Sequence, residues 1–137
     1  MAADGRNRRT HRRDVRLCRI LGEYSPWDLH DPENFGRAVE LFDMSSMMKV
    51  GQNCRAFIAQ RSLVSGIQNI LFNNIRTVEE AKECVCVVRA EIPSVKGINW
   101  AANRRNVGYY LEAGSLEYVR AMDEAVVALM IKKRSDR

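Results

Sequence analysis

Seven arginines fall within the first 21 residues: Arg6, Arg8, Arg9, Arg12, Arg13, Arg16 and Arg19. The same stretch has two acids, Asp4 and Asp14, and no lysine, so it carries +5, the whole net charge of the chain. A guanidinium is planar and always charged, and it forks onto two phosphate oxygens at once. Asn7, Thr10 and His11 add hydrogen-bonding polarity between the arginines. This chemistry suits a phosphate-rich partner, and RNA is the preferred one, because arginine-rich segments fold on it. A nuclear-localisation tract has the same composition, and a solubilising tail is the plain alternative.

A second segment with binding chemistry is Trp100-Ala101-Ala102-Asn103-Arg104-Arg105-Asn106-Val107-Gly108-Tyr109-Tyr110. Aromatic rings stack on unpaired bases at roughly 1–3 kcal/mol each while arginines follow the backbone. Arg104 and Arg105 therefore join the seven arm arginines as candidate nucleic-acid contacts. The competing reading makes Trp100, Val107 and Leu111 core and leaves both arginines solvated.

Catalytic chemistry is thin. The chain has no G-x-S-x-G, H-E-x-x-H, phosphate-loop or dinucleotide-turn motif. His30 is the sole histidine outside the arm, with no nucleophile marked for it. The expectation is a non-enzymatic protein with no catalytic residue, cofactor or metal. Cys84-x-Cys86 lacks the wider spacing and second ligand pair of a zinc site, and reads as two small buried hydrophobes. Met44, Met47 and Met48 read as core, or as an adaptable docking surface if exposed.

The body that must carry these groups is ordinary in composition, with 46% apolar and 28% charged residues among 137. That excludes wholesale disorder and a disulfide-stapled miniprotein. No apolar run is long enough to cross a membrane, and no signal peptide is visible. A mitochondrial presequence is the weaker reading of the arginine-rich start, which lacks serine. An intracellular location, nucleus or cytoplasm, is expected. Residues 22–131 hold 11 basic and 14 acidic groups, and the last six residues are basic again.

Apolar spacing predicts helices throughout. A short helix is expected over 12–21. Ser25-Pro26 and Asp31-Pro32 are start signals, the second opening a helix from Pro32 to about Lys49. Phe57, Ile58, Leu63, Val64, Ile67, Ile70, Leu71 and Ile75 predict the longest helix, over 54–75, with Gly66 inside it at a close crossing. Thr77-Val78-Glu79-Glu80 is a capping box that predicts a helix to about Glu91, against the β-favouring run Cys84–Val88. Further helices are expected over 100–113 and from Ser115 to Lys133.

The chain is therefore expected to be all-α: a compact bundle of four principal helices plus one or two short ones. Residues 1–21 form a basic arginine-rich arm, disordered over residues 1–11, and residues 22–137 the helical domain. The expected function is RNA-preferring nucleic-acid binding, of the nucleocapsid, coat or silencing-suppressor kind. The alternative is a protein-interaction module with the arm as a nuclear address. Expected partners are RNA or other nucleic acid, a second copy through the stripe Val119, Met122, Val126, Leu129 and Met130, or another protein, but no membrane.

Overall fold

The computed structural model describes residues 16–92, 96–99 and 115–132. The order of elements is β1 (Leu17–Leu21), α1 (Asp31–Glu40), β2 (Ser45–Val50), α2 (Arg55–Val64), β3 (Asn69–Ile75), α3 (Val78–Val88), α4 (Leu116–Asp123) and β4 (Val127–Ile131). The four strands form one sheet in the order β1-β2-β3-β4, and every neighbouring pair is parallel. The protein is therefore α/β, and the all-α bundle is overturned.

Four of the expected helices turn out to be strands, wholly or in part. The segment read as a helix over 12–21 contains β1, whose residues alternate in exposure along the strand. The helix expected over 32–49 ends at Glu40. Asp43 takes a left-handed φ of 51°, and Met44 N–H reaches back 3.1 Å to Val39 C=O. That is a Schellman stop with aspartate in the usual place of glycine. The chain then runs into β2. Leu41 and Phe42, just past the end of α1, are solvent-exposed.

The long helix over 54–75 splits at Gly66. Its φ is 105°, and Ile67 N–H bonds Ser62 C=O at 3.0 Å, a second Schellman stop. Gly66 thus ends α2 rather than marking a crossing within a helix, and Ile70, Leu71 and Ile75 belong to β3. The last helix stops at Asp123, so Val126, Leu129 and Met130 do not continue a helical stripe, and the self-association surface built on that stripe falls with it.

The capping signal at Thr77 holds. Thr77 Oγ1 accepts from Glu80 N–H at 3.1 Å, while Glu80 Oε2 accepts from Arg76 N–H at 2.7 Å. Helix α3 forms in spite of its valine and cysteine run. The helix expected over 100–113 lies outside the described residues.

Alternation along the strands sorts the side chains. Met48, Val50, Ile70 and Phe72 point to the helical side and pack with Ala59 and Leu63 of α2 and Cys84, Val87 and Val88 of α3. All are under a tenth exposed. Ile20 of β1 and Val127 and Leu129 of β4 extend this core to the outer strands. Tyr118 and Met122 of α4 form a smaller cluster with Ala90. Right-handed crossovers between sequential parallel strands put their helices on one face, and α1, α2 and α3 all contribute to this core. Met47, Lys49, Leu71 and Asn73 lie on the opposite face.

Candidate functional site at the carboxyl edge of the sheet

In a parallel sheet, the loops after the strands gather at the carboxyl edge, where α/β proteins build their sites. Here that edge collects Glu23 just beyond β1, Lys49 near the end of β2 and Asn73 in β3. Lys49 Nζ lies 2.8 Å from Glu23 Oε2. Asn73 Nδ2 donates to both carboxylate oxygens of Glu23, at 2.8 and 2.7 Å. The exposed Tyr24 ring lies over Lys49, with its centroid 4.9 Å from Nζ. The side chains of Lys49 and Glu23 are only 11% and 15% exposed, so the pair is shielded from screening.

Local backbone features hold the cluster. At Asn74 the chain turns left-handed, with φ 59°, and the β3–β4 register shifts between Phe72 and Ile75. This irregularity lets Asn73 face the cluster while Ile75 returns to the core. Asn74 N–H donates to Asn73 Oδ1 at 2.8 Å, which fixes the amide with its nitrogen toward Glu23. At Gly51 a Cβ would sit 3.1 Å from Glu23 Cγ, so glycine makes room for the carboxylate. Trp27 Nε1 donates to Gly22 C=O at 2.7 Å and anchors the loop after β1.

The pK of Glu23 is lowered. The Lys49 hydrogen bond is the largest cause, with Asn73 and Tyr24 adding to it and burial opposing it. Glu23 is thus a firmly ionised acceptor. It lines a cleft of about 460 Å³ together with Trp27, Gln52, Asn53, Cys54 and Asn74. Cys54 is exposed and left-handed, φ 55°, at the start of α2.

A larger cavity, about 530 Å³, opens at the amino edge beside Arg16, Ser45, Met47, Gln68, Asn69 and Glu124. Several of its polar groups serve the sheet itself. Asn69 Nδ2 donates to Ser46 C=O and Asn69 Oδ1 accepts from Val126 N–H, each at 2.9 Å. Ser46 and Gln68 exchange bonds from backbone N–H to side-chain oxygen at 3.2 and 3.0 Å. The carboxyl edge is therefore the better candidate, although its cleft is the smaller.

Of the arginines singled out in the sequence, Arg6, Arg8, Arg9, Arg12, Arg13, Arg104 and Arg105 lie outside the described residues. Arg16 and Arg19 are exposed, and β1 carries Arg19 on the face opposite the helices. Met47 and Met48 are buried on opposite faces of β2, which leaves little of the methionine docking surface. Cys84 is buried in the core, 3.6 Å from Arg55 Nη1, and burial is the main cause raising its thiol pK. Among the described residues, no group of three or more His, Cys, Asp or Glu side chains is placed to hold a metal ion.

Glu23, Lys49 and Asn73 were missed in the sequence. Their signal is positional: each follows or ends an apolar run, as in Ile20-Leu21-Gly22-Glu23 and Leu71-Phe72-Asn73-Asn74. It becomes legible only when those runs are read as strands. No family model matches this chain, and neither the curated proteins nor the solved structures yield a match.

Proposed function

We propose that this chain binds a small hydroxyl-bearing metabolite at the carboxyl edge of its sheet. The observation that carries the reading is the shielded Glu23–Lys49–Asn73 cluster beside the 460 Å³ cleft. An ionised carboxylate is an acceptor only, so its partner must bring donors, and ligand hydroxyls supply them. Lys49 and Asn73 keep Glu23 charged and aimed. Tyr24, the exposed partner, is the one a ligand hydroxyl replaces. Gln52, Asn53 and Asn74 offer amides that both donate and accept, and the Trp27 ring offers an apolar wall. A mostly preformed concave site with a few convergent polar groups is the usual form of a small-molecule pocket. The test is a thermal-shift and calorimetric screen of sugars, polyols and hydroxy acids against wild type and Glu23→Gln. Binding by wild type that drops at least tenfold in the variant supports the reading. Silence across the panel, or equal binding by both proteins, refutes it.

A second reading, nucleic-acid binding with RNA preferred, rests on Arg16 and Arg19. Both are exposed along an outer strand, so the arginine-rich segment leads directly onto an accessible sheet edge. Deleting residues 1–21 would remove β1, so charge substitution is the sound test. Arg8, Arg9, Arg12 and Arg13 replaced together by alanine should weaken RNA retention for all sequences alike, because phosphates carry no base identity. With about four to six arginines engaged, the wild-type slope of log affinity against log salt is about −3 to −5, and the variant's is shallower. An unchanged slope and affinity would refute this reading.

A further inference from the structure

The cleft at the carboxyl edge holds more chemistry than one hydroxyl uses. The side-chain amides of Gln52, Asn53 and Asn74 line it, and none of them makes a hydrogen bond among the described residues. Gln52 spends only its backbone C=O, on Arg55 Nε, and Asn74 only its backbone N–H, on Asn73 Oδ1. Every other Asn and Gln side chain among the described residues is bonded: Asn34, Gln60, Gln68, Asn69, Asn73 and Asn99. The unspent amides are thus gathered in one place. The backbone there is unusual as well. Cys54 and Asn74, with φ of 55° and 59°, are two of the four left-handed residues other than glycine among those described. Such conformations are costly, most of all for a residue like cysteine, and they cluster where ligands are gripped.

The rest of the lining narrows the ligand. Trp27 gives its one N–H to Gly22 C=O, so only carbon is left for it to present, beside Ile58. Glu23 is the one charged side chain of the lining among the described residues, and its counter-ion Lys49 is committed to it. A ligand with a negative charge of its own is repelled there. A flat, uncharged heteroaromatic ring matches this set. It has a face for the indole to stack on and an edge with donors and acceptors side by side. A primary amide carries the same pair, and Asn and Gln read base edges through two bonds at once. A carboxylate beside the end of a parallel strand is well placed to hold a ribose hydroxyl.

We infer that the ligand is an unphosphorylated nucleoside, with a ribose hydroxyl on Glu23, the base against Trp27, and the base edge read by the amides of Gln52, Asn53 and Asn74. This narrows the hydroxyl-binding reading to one substrate class and rests on it.

The experiment is isothermal titration calorimetry of the full chain with adenosine, guanosine, cytidine and uridine, alongside ribose, the free bases and the 5′-monophosphates. At least one nucleoside should bind about tenfold tighter than ribose and than its free base. Its 5′-monophosphate should bind no tighter than the nucleoside. Trp27→Leu should weaken nucleoside binding about tenfold, and Trp27→Phe, which keeps a ring but not the N–H, should recover most of that loss. Asn74→Gly keeps the left-handed turn and removes the amide, so it should weaken the preferred nucleoside about tenfold. Should Trp27→Leu fail to fold by circular dichroism, Asn74→Gly carries the test. Nucleosides that bind no better than ribose overturn the inference, and sugars still held through Glu23 would then leave the hydroxyl-binding reading intact. Silence of nucleosides and sugars alike ends both. A 5′-monophosphate that binds about tenfold tighter than its nucleoside overturns the assignment of an uncharged ligand. So does nucleoside binding indifferent to the Trp27 and Asn74 variants, because its site then lies elsewhere.

Discussion

Asn69 offers the sharpest check on the sheet. Its side chain spans three strands from the start of β3: Nδ2 donates to Ser46 C=O on β2, and Oδ1 accepts from Val126 N–H at the entry to β4, each at 2.9 Å. The residue is 8% exposed and Ser46 is fully buried. Asn69→Leu keeps the branching at Cγ and removes both bonds. Each intramolecular hydrogen bond contributes about 1 kcal/mol net, and an unpaired buried group costs about 1–3 kcal/mol more. Val126 is 55% exposed, so water replaces its bond at little cost, and the loss is the Ser46 bond plus the penalty on the unpaired Ser46 C=O. The expected loss is about 2–4 kcal/mol. At about 2.1 cal/mol/K per residue over 137 residues, Tm falls by about 7–14 °C. Asn69→Asp separates the two bonds. It keeps the acceptor for Val126 and sets a carboxylate against the Ser46 carbonyl. Protonation restores a donor there, so the folded-state pK of the new acid is raised. Its favourable state exists below the unfolded pK and is lost as pH rises through the folded one. Urea unfolding at pH 4 and pH 7 measures both variants. Asn69→Leu within 0.5 kcal/mol of wild type, or Asn69→Asp with no recovery in acid, would refute the three-strand clamp.

Three further expectations follow from particular residues. The pK of Glu23 lies below its ordinary 4.5, so its stabilising contribution is present above that value and fades as pH falls through the folded-state pK. The stability gap between wild type and Glu23→Gln should therefore close in acid, and a pH-independent gap would contradict the ion pair. Cys54 is exposed and Cys84 is buried with its thiol pK raised, so iodoacetamide should modify Cys54 in the native protein and Cys84 only on unfolding. Equal native rates would place Cys84 outside the core. Gly66→Ala forces a side chain onto a φ of 105° and should cost at least about 1–2 kcal/mol in urea unfolding. A neutral result would remove the α2 stop.

The sequence was legible where local chemistry decides and misleading where tertiary burial does. Thr77 and Glu80 announce α3, and the hydroxyl and carboxylate make the expected bonds. Asp31-Pro32 marks the start of α1. The central strands β2 and β3 failed for one shared reason. A parallel strand buried on both faces is a continuous apolar run, and over five to seven residues such a run has no period that separates it from a buried helix. Met47-Met48 and Ile70-Leu71-Phe72 were thus absorbed into the helices before them. Asp43 hid the first boundary by taking a glycine's conformation, and Gly66 hid the second by looking like a weak point within a helix.

The candidate site failed for a reason that follows from the first. Glu23, Lys49 and Asn73 are about 25 residues apart in sequence, and no motif of adjacent residues joins them. That interval is one strand, one helix and their connections, so it carries a residue at the end of one parallel strand to the same place on the next. As a bundle, the chain places Lys49 and Asn73 at unrelated points on helices, where each reads as a solvated polar residue. As a sheet, it brings all three to one edge, where the carboxylate, ammonium and amide satisfy one another under partial burial. The chemistry at this edge is therefore a property of the fold before it is a property of any segment. Asn69→Leu should then have a remote effect. Loosening the β2–β3–β4 clamp at the amino edge disturbs the register that presents Lys49 and Asn73 to Glu23, so the variant should also lose the acid-dependent stability difference assigned to Glu23. If Asn69→Leu lowers stability but leaves that difference intact, the carboxyl-edge cluster is held by its own loops and not by the sheet.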